Sequence, residues 1–209
     1  MAKQPERPKL LVIAGPNGSG KTSVTSKLLR HEWIDGCEYV NPDFIARDVY
    51  GDWNSPEAVM AAAREASARR ERCIVEGRSL IFETVMSAPD KVDFITKARA
   101  CGYFVRLFFI GTDSPSINAA RVADRIMSGG HGVPMEKIIS RYYKTIINCA
   151  KLVPVVDRLY VYDNSVDGEF AKLMFRTVDG KLMRQYTEPH PWAREIFEAI
   201  SGEDEIPSS

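Results

Sequence analysis

Histidine and cysteine are scarce in this chain, three and four residues out of 209. Cys37, Cys73, Cys101 and Cys149 contain no C-x-x-C pair, and His31, His131 and His190 lie apart from them. That spacing speaks against both a zinc site and a disulfide framework. Net charge is lacking as well, because 28 basic and 28 acidic residues cancel. Composition therefore offers no electrostatic case for a nucleic-acid or membrane-surface partner, and any anion must be held by local geometry. No apolar run is long enough to span a bilayer, and the first nine residues lack the apolar core of a signal peptide. A reduced, soluble, cytoplasmic protein is the expectation. Repeats and low-complexity tracts are absent too. With 44% hydrophobic residues the chain can fill one substantial α/β core, and it is short for two.

What is present is organised around Gly15-Pro16-Asn17-Gly18-Ser19-Gly20-Lys21-Thr22, which fits the phosphate-binding pattern G-x-x-x-x-G-K-[ST]. Before it, Leu10, Leu11, Val12 and Ile13 read as a strand buried on both faces. After it, residues 22–30 carry Val24, Leu28 and Leu29 among good helix formers. The glycines let consecutive N–H groups turn inward around a phosphate chain, and the helix start adds its own unpaired donors. Lys21 is expected to reach the β- and γ-phosphates, and Thr22 to supply one ligand to a Mg²⁺ that keeps several waters.

Strand and helix signals alternate along the rest of the chain. Residues 38–40, 80–82, 104–110 and 159–162 read as strands, and 44–49, 58–72, 91–100, 114–127 and 135–151 as helices. The segment Cys73-Ile74-Val75 fits either a helix end or a short strand. The expected fold is an α/β P-loop NTPase of nucleotide-kinase type, a mostly parallel sheet with helices on both faces and a helical lid. Its expected layout is a polar lead-in over 1–8, one domain over 9–200 and a frayed tail over 201–209. The lid falls at about 121–141, and a peripheral hairpin with Asp179-Gly180 at its turn falls at about 170–187.

In such sheets ligands sit beyond the carboxyl ends of the strands, which places Asp43, Glu83, Thr84, Asp113 and Asp163 on the rim that carries the loop. Phosphoryl transfer needs an acid to accept the acceptor's proton, positive charge around the moving group, and exclusion of water. Asp43 is the favoured base, though it also suits a cap for the helix at Phe44. Glu83 suits acceptor binding, against a simple ion pair with Arg78. Arg121 and Arg125 share a helix face, and Arg141 follows one helix later. Together with Gly129-Gly130-His131-Gly132 these are the parts of a closing lid over phosphates. Asp113 is read as a helix cap rather than a metal ligand. Asp163-Asn164-Ser165 fits an adenine pocket or an ordinary turn.

Taken together, Asn41-Pro42-Asp43, Phe82-Glu83-Thr84, Arg125 with Gly129-Gly130-His131-Gly132-Val133-Pro134, and Tyr162-Asp163-Asn164-Ser165 resemble the zeta-toxin group of P-loop kinases in its shorter form. The likeness covers residues 9–165. It implies transfer from ATP or GTP, with Mg²⁺, to a sugar hydroxyl of UDP-N-acetylglucosamine or a related nucleotide sugar, and in some members an antitoxin protein as partner. By motif, Asp43 resembles the catalytic base, Glu83 the acceptor-binding carboxylate and Arg125 the first lid arginine. Either His131 or Arg141 takes the place of the second. A nucleoside or antibiotic kinase is the runner-up, and a nucleotide-dependent switch the reading from another class.

Overall fold

The computed structural model describes residues 7–51, 55–128 and 133–200. Hydrophobic alternation explains its centre. In β1 (Lys9–Ala14), Leu10, Val12 and Ala14 belong to one buried cluster and Leu11 and Ile13 to another on the opposite face. A strand enclosed this way must lie mid-sheet, and each fully buried Leu or Ile contributes about 1.5–3 kcal/mol.

The remaining strands are β2 (Glu38–Val40), β3 (Leu80–Thr84), β4 (Phe104–Gly111), β5 (Arg158–Asp163), β6 (Lys172–Val178) and β7 (Lys181–Gln185). They form one sheet in the order β2-β3-β1-β4-β5-β6-β7. The first five are parallel, and β6 and β7 return antiparallel. The hairpin read as peripheral thus continues the main sheet. Asp179 and Gly180 both take positive φ, 49 and 77°, as a tight two-residue turn requires. The two rims differ in length and character: β2 has three residues, whereas β7 leaves Lys181, Met183, Arg184 and Gln185 exposed.

The described residues form seven α-helices: α1 (Lys21–Leu28), α2 (Pro42–Tyr50), α3 (Pro56–Glu76), α4 (Pro89–Ala100), α5 (Pro115–Met127), α6 (Met135–Leu152) and, after the last strand, α7 (Arg194–Glu198). Cys73 and Ile74 stay helical. Ser55 accepts from the Ala58 N–H to start α3, and Gly77, at φ 64°, ends it. Side chains of α2, α3, α4, α6 and α7 build the larger core with Val12, Phe82, Phe109 and Phe175. Among the described residues, only α1 and the turn Glu32–Ile34 pack on the second face. Strand order switches direction at β1, with β3 on one side and β4 on the other, which is where a parallel sheet opens a crevice.

Candidate active site

The loop over residues 15–22 leaves the carboxyl end of β1 in that crevice. Gly18 and Gly20 take φ 77 and 86°, and a Cβ on Gly18 would lie 2.5 Å from the Asn118 carbonyl oxygen. Gly20 is the N-cap of α1, so the first N–H groups of the helix remain open toward the loop. Two carboxamides brace the loop. Asn118 Nδ2 donates to the Asn17 carbonyl at 2.6 Å and Asn164 Nδ2 to the Ser19 carbonyl at 2.9 Å. Lys21 Nζ donates to the Gly15 and Pro16 carbonyls at 2.9 and 2.8 Å. Burial lowers the Lys21 pKa to about 8; the Glu83 charge opposes this and Arg125 adds to it. The Ser19 hydroxyl is buried without a partner. These are donors for an anion.

Beside the loop lies a cleft of about 500 Å³ whose walls bring together Lys21, Thr22, Asp43, Glu83, Thr84 and Arg125. Asn41, not Asp43, caps α2: its side chain accepts the Asp43 N–H at 2.8 Å. Pro42 follows at the first helical position, and the Asp43 carboxylate is left exposed in the first turn. Glu83 does not pair with Arg78, which bonds Glu38 and Glu76 at the opposite end of the sheet. It accepts instead from the Tyr39 hydroxyl at 2.8 Å, and that oxygen accepts from Asn41 Nδ2 at 2.9 Å. Burial, with the Glu83 charge beside it, pushes the Tyr39 phenol well above its usual range, so it stays a donor. One hydrogen-bonded chain therefore joins the Glu83 carboxylate to the cap that orients Asp43.

Thr84 faces the cleft, but its hydroxyl oxygen accepts the Met86 N–H at 2.9 Å. Met86 has φ 57°, rare for a side chain of this size. The bend is held by Thr145 on the Val85 carbonyl and Asn148 on the Met86 carbonyl, so α6 fixes the cleft wall. Arg121 also lines the cleft, yet it donates to Asp167 at 2.8 Å and to the Asn164 carbonyl at 2.7 Å. Reaching a phosphate would require those bonds to open. Arg141 lies outside this cleft and donates to the Asn17 side chain at 3.4 Å. His131 and its flanking glycines fall outside the described residues.

The Asp113 and Asp163 carboxylates turn away from the cleft. Ser114 is the N-cap of α5, and the Asp113 carboxylate meets His190 Nδ1 at 2.9 Å instead of capping the helix. Asp163 Oδ1 accepts from Ser165 Oγ at 2.6 Å and from Trp192 Nε1 at 3.1 Å. The Trp192 ring fills the space a Cβ on Gly111 would take. This small cluster ties the chain after β7 to the ends of β4 and β5, where Asn164 and, through Thr112, Asn118 are held. Asp113, Asp163 and His190 are the one His/Asp grouping close enough to share a metal among the described residues. Asp163 Oδ1 already takes two donors there, so hydrogen bonding accounts for the cluster.

On the other flank of Gly20 a groove of about 510 Å³ runs beside α1, lined by Val24, Lys27, Trp33, Tyr162, Asn164 and Phe170. Three parts of the site escaped sequence reasoning: Tyr39, Asn41 as the cap, and Asn118. Alternation along β2 was the available signal for the first two, since it puts positions 39 and 41 on one side. Asn118 shows only as a polar residue within the apolar stripe of α5, where it is fully buried.

A glycine-lined loop after β1, in a sheet of order β2-β3-β1-β4-β5 and beside a polar cleft, is the arrangement of a P-loop phosphotransferase, and the enzyme belongs to that class. Residues 1–167 match the family model described as zeta toxin, and the chain is a member of the zeta toxin family. An uncharacterized protein of Haemophilus influenzae is 29% identical over 135 residues, 64% of this chain and 92% of its own length. Among solved structures, a chain of the PezAT chromosomal toxin-antitoxin system of Streptococcus pneumoniae has a TM-score of 0.57 at 18% identity, over 78% of this chain and 70% of that one. A chain of the AvrRxo1-ORF1:-ORF2 complex with ATP reaches 0.65 at 18% identity, over 97% of this chain and 66% of its own. At that identity the two likenesses show the fold. No described helix is long and apolar enough to cross a membrane.

Proposed function

We propose that this chain moves the γ-phosphoryl group of ATP or GTP to a hydroxyl of a small acceptor, with a nucleotide sugar such as UDP-N-acetylglucosamine as the class its family motifs imply. The observation that carries this reading is the shared cleft, in which Lys21 and Thr22 face Asp43 and Glu83 across about 500 Å³. In this reading the loop amides of residues 15–20 and Lys21 hold the phosphates, and Lys21 exchanges its two loop carbonyls for phosphate oxygens. Asp43 takes the proton of the attacking hydroxyl, Glu83 holds the acceptor beside it, and Thr84 keeps the wall behind them. Arg125 faces the charge that develops on the moving group, joined by Arg121 once it leaves Asp167, while Arg141 acts through Asn17 and His131 from the lid. The groove beside α1 continues from Gly20, which supports it as the place for the donor nucleoside.

Oxygen donors dominate the cleft. Thr22, Asp43 and Glu83 suit a hard cation that keeps several waters, so Mg²⁺ fits this donor set. When bound it would neutralise phosphate charge. An antitoxin protein as partner belongs to the same reading, on family membership alone.

The test is mass spectrometry after incubation with ATP, Mg²⁺ and separate pools of UDP-sugars, nucleosides and aminoglycosides. A gain of one phosphate in the UDP-sugar pool is expected. Gain only among nucleosides or aminoglycosides would discard the nucleotide sugar, and acceptor-independent turnover would favour a nucleotide switch. Asp43→Asn should keep nucleotide affinity and lose turnover by at least about 100-fold.

A further inference from the structure

The second face of the sheet is covered over β1, β4 and part of β5 by α1 and the turn at Glu32–Ile34, whose Trp33 ring lies 5.9 Å from Tyr160, and no described helix lies over β7 or the hairpin end of β6 there. Registry fills that open face with one kind of charge. Arg106 on β4 is the direct neighbour of Arg158 on β5, Tyr160 faces Arg176 on β6, and Arg176 faces Arg184 on β7. Strands about 4.8 Å apart spread these four guanidinium groups over roughly 14 Å. No carboxylate side chain alternates with them on this face. Arg158 has Asp179 at 3.8 Å, in the hairpin turn. Arg106, Arg176 and Arg184 have no carboxylate partner among the described residues, and the Nε atoms of Arg106 and Arg176 are buried without an acceptor.

Aromatic rings are interleaved with the charges. Arg106 lies over Trp33 at 4.4 Å and Phe104 at 4.9 Å, Arg158 over Phe104 at 5.5 Å, and Arg184 over Tyr186 at 4.9 Å. Stacking of this kind fixes the guanidinium planes of Arg106, Arg158 and Arg184; Arg158 Nη1 also donates to the Asp157 carbonyl at 2.7 Å, and Arg184 keeps an exposed N–H edge for an oxygen ligand. Tyr186 is 42% exposed, and Tyr162 sits partly buried next to Tyr160 on the same side.

We infer that this face binds single-stranded nucleic acid. A row of guanidinium groups matches a chain of phosphates better than a single small anion. The exposed Tyr186 ring offers stacking surface that bases use and that Asp or Glu side chains do not. The face is a flat sheet with no projecting helix to enter a duplex groove, which favours a single strand. The neutral total charge hides this asymmetry, because the balancing acids lie elsewhere on the molecule.

The experiment is fluorescence anisotropy of a labelled twelve-residue oligo(U), with wild-type protein and Arg158→Glu/Arg176→Glu/Arg184→Glu, from 50 to 200 mM NaCl. Three to four phosphate contacts give a slope of log K against log salt of about −2 to −3, or roughly 20- to 50-fold weaker binding across that range. The triple variant should bind at least tenfold more weakly while keeping the wild-type melting temperature. If it fails to fold, the triple Arg→Gln variant replaces it. Lys21→Ala should retain oligonucleotide binding, which separates this face from the phosphate loop. The inference is overturned by absence of binding at 50 mM salt, by equal binding of the variant, or by loss of binding in Lys21→Ala. It is also overturned if poly-glutamate of matched charge competes as well as oligo(U), a result that would assign the face to an acidic protein. Acceptor phosphorylation is measured without the oligonucleotide, so the two proposals fail separately.

Discussion

Replacing Gly111 by alanine adds one methyl group at the end of β4, 2.2 Å from Trp192 Cη2. Carbon atoms rest about 3.5–4.0 Å apart, so the ring or the strand must yield by roughly 1.3 Å. Neither is loose. Trp192 donates to Asp163 Oδ1 at 3.1 Å, and the Gly111 carbonyl accepts from the Asn164 N–H at 2.9 Å. Overpacking of this kind costs about 1–3 kcal/mol. At 2 kcal/mol a domain of this size loses about 4–8 °C in melting temperature. Trp192→Ala alone removes the ring and costs about 3–5 kcal/mol. In the double variant the added methyl occupies space the ring has left, so its penalty should vanish. The double-mutant cycle, measured by urea unfolding, should show about 2 kcal/mol of favourable coupling. Additivity within about 0.5 kcal/mol would refute the reasoning, since the clash would then not be the cause.

Asn118→Ala and Asn164→Ala each remove one brace of the phosphate loop; the KM for nucleotide should rise about 5- to 10-fold per variant, with a smaller change in kcat, read from initial rates. Tyr39→Phe leaves the Glu83 carboxylate without its donor and should lower kcat/KM for the acceptor about 5-fold, while calorimetry shows unchanged nucleotide affinity. Asn41→Ala should cost about 1 kcal/mol through the lost cap, and more activity than stability because Asp43 loses its orientation. Nucleotide affinity should fall above pH 8 as Lys21 loses its proton, followed by titration calorimetry with a non-hydrolysable analogue. The stability sign is opposite. An ammonium whose folded pKa, about 8, lies below its unfolded value of 10.5 opposes folding below pH 8, and that penalty fades as pH rises toward 10.5.

The phosphate loop is legible because its chemistry is contiguous: eight consecutive residues carry the glycines, the lysine and the hydroxyl. The sheet is legible for a similar reason, since runs such as Leu10–Ile13 and residues 104–110 admit few other placements. What joins the site is not local. The Tyr39–Glu83, Asn118–Asn17 and Asn164–Ser19 bonds span 44, 101 and 145 positions. Arg78 and Glu83 look like partners in sequence, but a strand advances about 3.3 Å per residue, which leaves Arg78 before the start of β3 and Glu83 near its other end. Asp113 and Asp163 do end their strands as expected. Their side chains turn to His190 and Trp192 because residues beyond the family match pack over those strand ends. The arginine row is invisible to a charge count and emerges only once pairing registers set which positions share a face.

The rims of the sheet decide how the molecule tolerates crowding. Unpaired strand edges are templates for other chains, and long flat apolar ones lead to fibrous association. Here one margin is only three residues long and runs into Pro42, which has no N–H to offer. The other margin carries Lys181 and Arg184, whose like charges repel a second copy laid alongside. Concentrated protein should therefore resist strand-to-strand polymerisation, and neutralising those two side chains is the shortest route to removing that protection.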